Sequence, residues 1–166
     1  MSRASYRKFP LHVRRRTQLS PGFVRFTLHG DSVAGMATHA PDQRVKLFFP
    51  LDGATMPALP DGDDWYAQYR ALPAETRPPM RTYTIRALRP EQREVDVDFV
   101  LHGDSGPASA WAARAEAGDV LVMLAPDAGF DGVPDGFEWR PPTDLRKVLL
   151  IGDETAVPAI AGILEQ

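Results

Sequence analysis

Arg81, Thr82, Tyr83 and Thr84 stand together in "MRTYTIR" (residues 80–86), so one short run offers a cation, a ring and two hydroxyls. A half-buried strand normally alternates apolar with polar residues, yet this one rests its apolar weight on Tyr83 and Ile85 alone. In an extended chain Arg81 and Tyr83 share one face, and Thr84 takes the other. A guanidinium so placed can give a phosphate charge-assisted, bidentate hydrogen bonds. The tyrosine ring is a flat surface for another ring, and the Thr84 hydroxyl can meet a ring edge. Further on, "GPAS" (Gly106 to Ser109) opens an alanine-rich run, with Pro107 suited to the first helical position. Backbone N–H groups at such a start lack intrahelical partners and face the positive end of the dipole, which favours an anion. Gly106 and Ala108 would let a phosphate come close. Cation, helix start, ring and hydroxyl together are what a site for a large, doubly phosphorylated cofactor needs.

Each of these has a plainer use when taken alone. An Arg–x–Tyr pair decorates many strand surfaces, and a Gly-Pro start can be only a cap. His102, at the end of a strand-like run, can be satisfied by a neighbouring backbone group, and Trp111 in the helical run suits a core. Asp98 and His102 are four apart in an extended segment, so they point to the same side of a sheet. The order and spacing of the whole set carry the reading.

The elements that must position these residues are mostly strands. "LHVRRRTQL" and "FVRFTLHG" flank "SPG", a turn from Pro21 and Gly22, and read as an antiparallel pair. "RVKLFFPL" (Arg44 to Leu51) is a further strand, followed by a long proline-rich connection carrying Trp65, Tyr66 and Tyr69; connections of this length are usually functional or poorly ordered. "RTYTIRAL" resumes the sheet. In "EVDVDFVLH", Val95, Val97, Phe99 and Leu101 alternate with Glu94, Asp96 and Asp98, a period of two. "GPASAWAARAEAGD" predicts a short helix with Gly118 as its left-handed C-terminal cap, and "VLVMLAP" predicts a strand. After a Gly-, Pro- and Asp-rich loop, "KVLLIGDETAVPAIAGILEQ" reads as an all-apolar strand followed by a helix, the first step of a doubly wound parallel sheet. One strand and one helix cannot bury both faces of such a sheet. The expected architecture is therefore an antiparallel β-barrel over residues 1–145, then the opening of a truncated second domain over 146–166.

Composition sets the outer limits. The chain has 166 residues, 43% of them hydrophobic, with no apolar run long enough to span a bilayer and no secretory signal at its basic start. A cytoplasmic location is expected, with no membrane insertion. There is no cysteine, which excludes disulfides and cysteine-ligated iron–sulfur clusters. The four histidines have no metal-binding spacing. Arg3, Arg7, Lys8, Arg14, Arg15, Arg16 and Arg25 fall in the first thirty residues, which contain no acid. They read either as a solvated strand or as a basic rim that attracts an anionic substrate. No nucleic-acid motif accompanies them.

"RTYTIR", "DFVLHGDSGPASAWA", "AGDVLVMLAP" and "LLIGDETAVPAI", in this order, resemble the siderophore-interacting proteins. These are flavin-dependent ferric-siderophore reductases related to the ferredoxin–NADP⁺ reductase superfamily. The resemblance runs over nearly the whole chain, and its R-x-Y-T and D-x-x-x-H patterns are intact at Arg81–Thr84 and Asp98–His102. It implies a mainly β fold: a six-stranded antiparallel Greek-key barrel that binds FAD, with a short helix, followed by a Rossmann-like domain for NAD(P)H. It implies that Arg81 contacts the flavin phosphate, with Thr82 beside it. Tyr83 would pack along the flavin, and Thr84, the catalytic candidate, would lie near its hydride-accepting nitrogen. Asp98, Val100 and His102 would line the cofactor. Gly106, Ala108 and Ser109 would hold the pyrophosphate with Trp111 close by, and Asp153, Thr155 and Ala156 would lie where the second domain meets the flavin. The implied substrate is a ferric siderophore. Most of the nicotinamide domain is absent from this sequence.

Two other readings stay open at the level of sequence. The same barrel serves reductases with other electron acceptors, since fold does not fix the acceptor. The chain could also be a β-barrel binding module without redox activity. In either case the apolar strand expected at residues 147–151 is a hazard for self-association.

Overall fold

A computed structural model of the chain describes residues 4–101 and 106–166. Seven strands form one antiparallel sheet: β1 (Tyr6–Ser20), β2 (Phe23–His29), β3 (Arg44–Phe48), β4 (Met80–Thr84), β5 (Ala87–Arg89), β6 (Glu94–Val100) and β7 (Val120–Pro126). Their order is β4-β3-β7-β1-β2-β6-β5. The two ends of that order are adjacent in sequence. Ile85 N donates to the Gln43 carbonyl at 2.9 Å and Arg86 N to that of Asp96 at 2.9 Å, so the chain steps from β3 to β6 and the sheet curls back on itself. The single strand expected over residues 81–88 is thus two, because its halves bond to different neighbours.

The long β1 makes the same kind of step. Tyr6 to His12 pair with β7, and His12 to Ser20 pair with β2 across two register shifts. Such irregularities increase twist and help a sheet bend. The expected antiparallel pair around the Pro21–Gly22 turn is present.

Inside the curl lie Phe9, Leu11, Phe26, Leu28, Val97 and Phe99, all fully buried. Helix α2 (Pro107–Arg114) adds Trp111 and Ala112 to this core. It ends at Arg114 with an extended Ala115, so Gly118 is not its cap as expected; the positive φ of Gly118 serves the turn into β7. A second, smaller cluster sits under helix α1 (Trp65–Ala71), where Tyr69 and Trp65 pack on Phe48. Sequence reading left α1 inside a loop.

The alternation in β6 is present, but its polar face is not solvated. Glu94, Asp96 and Asp98 are all buried. Arg14 and Arg15 reach Glu94, Arg89 holds Glu94 and Asp96, and Arg25 holds Asp98. Arg7 and Lys8 face Asp127 and Asp61. The N-terminal cations are largely the partners of acids from later in the chain, rather than a free basic rim.

The expected strand at residues 147–151 does not form. Leu149 is 81% and Ile151 84% exposed, with no neighbouring strand among the described residues to bond to. The following helix does form, as α3 (Val157–Leu164), after a short 3-10 turn at Glu154–Ala156. The loop before it is tied to the sheet. Tyr6 donates its hydroxyl to the Asp135 carbonyl at 2.7 Å, Arg44 N donates to that of Gly136 at 2.7 Å, and the buried Gln43 amide bonds both carbonyls. Gly136 has φ +95°, and a Cβ there would stand 2.1 Å from the Tyr6 hydroxyl, so only glycine fits. No helix among the described residues is long and apolar enough to cross a membrane.

Candidate functional site

A cavity of about 620 Å³ opens between β4, the end of β6, the start of α2 and the C-terminal helical segment. That is within the usual range for a small-molecule or cofactor pocket. Arg81, Thr82, Tyr83 and Thr84 line it from β4, Asp98 and Val100 from β6, and Gly106, Ala108 and Ser109 from α2. Thr155 joins them from the C-terminal segment.

Tyr83 is held by the core below it, its ring 4.3 Å from Phe99 and inclined at 34°. Burial pushes its hydroxyl far above the ordinary tyrosine range, against the weaker downward pull of Arg81. It therefore stays protonated, a neutral ring with a polar tip. Arg81 is exposed, and its one hydrogen bond among the described residues runs to the carbonyl of Met80 beside it, at 2.8 Å. Neither Arg81 nor the Thr84 hydroxyl has a side-chain partner among the described residues.

Helix α2 starts without a side-chain cap. Gly106 is its N-cap, Pro107 follows, and the first helical bond runs from Ala110 N to the Gly106 carbonyl. The N–H groups of Ala108 and Ser109 precede that bond, so they remain free for an anion. Arg81 and the helix start give the cavity positive potential. Tyr83 and Thr84 give it a ring and an uncommitted hydroxyl. These features fit a ligand with phosphates at one end and a flat ring at the other.

Other expected residues are placed differently. Trp111 is 3% exposed, packed against Phe26 and Phe49 with centroids 5.1 and 5.4 Å away; it supports the cavity from the core and does not line it. Asp98 reaches the cavity wall, but Arg25 grips both its oxygens at 2.7 and 2.9 Å and Arg86 lies 3.7 Å away. Asp153 accepts from Thr155 N at 2.9 Å and from its hydroxyl at 2.5 Å, which orients Thr155. Neither Asp153 nor Ala156 lines the cavity. His102 lies outside the described residues.

Asp42, Arg44, Glu138, Pro158 and Ala159 also line the cavity, and sequence reading missed all five. Asp42 is positioned by accepting from Glu138 N at 2.7 Å and Trp139 N at 2.9 Å. Its other oxygen is buried without a partner among the described residues. No local motif marks Asp42, Arg44 or Glu138, whereas Pro158 and Ala159 fall within the "LLIGDETAVPAI" stretch.

Residues 12–130 match the family model of the siderophore-interacting FAD-binding domain. Ferric vibriobactin reductase ViuB of Vibrio cholerae is 32% identical over 170 residues, which covers 100% of this chain and 57% of ViuB. Among solved structures, a siderophore utilization protein from T. fusca superposes with a TM-score of 0.76 at 29% identity, over 98% of this chain and 57% of that one. The siderophore-interacting protein SipS from Aeromonas hydrophila gives 0.68 at 31% identity, over 98% and 55%. The chain thus spans a little over half the length of these three relatives. With the β4 motif, the α2 start and the family match over the same residues, the chain belongs to the siderophore-interacting FAD-binding domain family.

Proposed function

We propose that this chain is the FAD-holding part of a ferric-siderophore reductase, through which electrons pass from NAD(P)H to chelated Fe(III). The observation that carries the reading is the convergence of Arg81, the uncapped start of α2, Tyr83 and Thr84 on one cavity. Arg81 and the N–H groups of Ala108 and Ser109 hold the phosphates. Tyr83 supports the ring system, and Thr84 directs a hydroxyl at its reactive edge. A bound flavin supplies the exchange between a two-electron hydride donor and one-electron ferric acceptors. The chain's own residues orient that group, neutralise its phosphates and leave one edge open to the chelate. Fe(II) binds hard oxygen ligands more weakly than Fe(III), so reduction favours release of the iron. The reductase name of ViuB, together with the shared family, supports this substrate class.

The same reading takes residues 1–145 as the FAD domain and 146–166 as the beginning of an NAD(P)H-binding domain. It counts β4 and β5 as one bent strand and takes the curled sheet as the six-stranded Greek-key barrel of the FAD domain. The exposed Leu149 and Ile151 are apolar surface that the rest of an NAD(P)H-binding domain would cover, and the same surface favours self-association without it. A reductase of this kind works in the cytoplasm.

The test is an absorption spectrum of the purified chain before and after FAD addition and desalting. Retained flavin bands that disappear in Arg81→Ala support the reading; a chain that takes up no flavin overturns it. Photoreduced, flavin-loaded protein should then reduce ferric catecholate or hydroxamate chelates and not ferredoxins. The reverse preference would move the chain to another reductase class.

A further inference from the structure

Among the described residues, the charged side chains that line the cavity are Asp42, Arg44, Arg81, Asp98 and Glu138. Two of them are accounted for. Arg25 holds both oxygens of Asp98 at 2.7 and 2.9 Å, and Arg81 serves the phosphates in the reading above. Asp42, Arg44 and Glu138 remain, two acids around one base, and cofactor binding gives them no role.

Arg44 is the partner of Thr84 across β3 and β4, and cross-strand partners set their side chains side by side on one face. It therefore stands next to the hydroxyl that the proposed function directs at the reactive edge of the ring, where an electron acceptor must arrive. Its guanidinium lies 2.8 Å from the Glu138 carboxylate, and the two side chains are 50% and 79% exposed. Lining the cavity and yet open to solvent, the pair stands at the rim. Both backbones are fixed: Arg44 N donates to the Gly136 carbonyl at 2.7 Å, and Glu138 N to the Asp42 carboxylate at 2.7 Å. An exposed ion pair contributes little, so the Glu138 side chain can leave Arg44 at small cost while the loop stays in place.

We propose that Glu138 is a displaceable counter-ion that sets which acceptor charge the site admits: an anionic ferric complex takes its place on Arg44. The inference rests on the flavin reading above and assigns roles on the acceptor side of the ring. With the pair closed, the rim carries two carboxylates and one guanidinium, a field that favours no anion. With it open, Arg44 offers charge and hydrogen-bond donors beside Thr84. Arg44 thus raises affinity for negative charge, and Glu138 competes for the same guanidinium and reduces it. A neutral complex has nothing to gain from the exchange.

The experiment photoreduces the flavin-loaded chain and follows flavin reoxidation against the concentration of an iron complex at low salt. Per reduced flavin, two Fe(III) centres take one electron each, and a proton passes to solvent. The probes are neutral Fe(III) tris(acetohydroxamate), monoanionic Fe(III)–EDTA and trianionic ferricyanide. Glu138→Gln should lower the half-saturating concentration of ferricyanide about tenfold, that of Fe(III)–EDTA about threefold and that of the hydroxamate less than about twofold. Arg44→Gln should raise them in the same order, and salt at about 0.5 M should flatten both series. Equal shifts for all three complexes would place the pair in the scaffold, and no shift would make it a surface bridge only. A Glu138→Gln change in the same direction as Arg44→Gln would mean that Glu138 merely orients Arg44. Each of these results overturns the proposal, and with flavin bound each leaves the flavin reading standing. If the parent chain takes up no flavin, the flavin reading fails and takes this proposal with it.

Discussion

Arg81 and Arg89 lie on one run of chain and are in opposite circumstances. Arg89 gives two hydrogen bonds to Asp96 at 2.8 and 2.9 Å and two more to Glu94 at 3.0 and 3.1 Å. Both of those carboxylates are buried. Arg81 has no carboxylate among the described residues and faces open cavity on two sides. The first arginine neutralises charges the fold has already buried, whereas the second is left for something the fold does not contain. Residue type alone cannot separate these roles; the partner decides.

The difference can be broken from either end. Arg89→Ala should have the largest effect, because it takes from the buried Asp96 the one arginine paired with it among the described residues and leaves Glu94 to Arg14 and Arg15; removing one partner of a buried pair costs about 3–5 kcal/mol. Urea denaturation would register this as a lower midpoint, and a loss under about 1 kcal/mol would mean that water already screens the cluster. Arg81→Ala should behave in the converse way. Its stability should stay within about 0.5 kcal/mol of the parent, while FAD affinity falls about 10- to 100-fold, the worth of charged hydrogen bonds to a phosphate. If Arg81→Ala unfolds the protein as Arg89→Ala does, the division of labour is wrong.

Acid titration sharpens the same point. Burial pushes the Asp96 carboxyl up, but hydrogen bonds from Arg89 and Thr27 and the charges of Arg89 and Arg25 outweigh it, leaving a net depression. A depressed carboxylate contributes stability that is present above its unfolded pKa of about 3.9 and is lost as pH falls through the lower folded value. In Arg89→Ala the burial effect would prevail and the sign would invert, since a raised acid destabilises at neutral pH and is relieved on protonation. The stability gap between parent and variant should therefore be widest near pH 7 and narrow towards about pH 4. A constant gap would show that Arg89 acts through packing.

Much of this arrangement was legible in the sequence, within limits that have physical causes. The strands declared themselves through their alternation and turns, and "MRTYTIR" stood out because it broke the alternation. The alternation in β6 left the burial of its polar face unread, because a period of two shows which residues share a side and not what covers it. The arginines that bury Glu94 and Asp98 come from β1 and β2, far off in sequence. Helix α1 was hidden by the prolines around it and by its length of 7 residues, even though Asp64 stands at its N-cap; Trp65 and Tyr69, one turn apart, form it by packing on Phe48. The apolar run at residues 147–151 read as a strand, but a strand needs a neighbour to bond to. In the site, local motifs found the β4 and α2 residues. Asp42, Arg44 and Glu138 depend on how the loop after Gly136 is tied to the sheet, which no local pattern encodes.

The smallest effect is expected at the edge of the paired set. Arg86 serves two acids, Asp98 at 3.7 Å and Glu165 beyond α3 at 2.5 Å. The hydrogen bond from Arg86 and its charge hold the Glu165 carboxyl below its ordinary range. Glu165 is exposed, however, and Arg86 keeps Asp98 when Glu165 is removed. Glu165→Gln therefore strands no buried charge, and exposed pairs of this kind contribute little. Its denaturation midpoint should match the parent at moderate salt. The change should instead appear locally, as faster amide exchange in α3, which would lose one of its ties to the sheet. A midpoint shift approaching that of Arg89→Ala would mean that α3 unfolds together with the curled sheet. The paired arginines would then hold the C-terminal segment over the cavity as firmly as they hold the acids of β6.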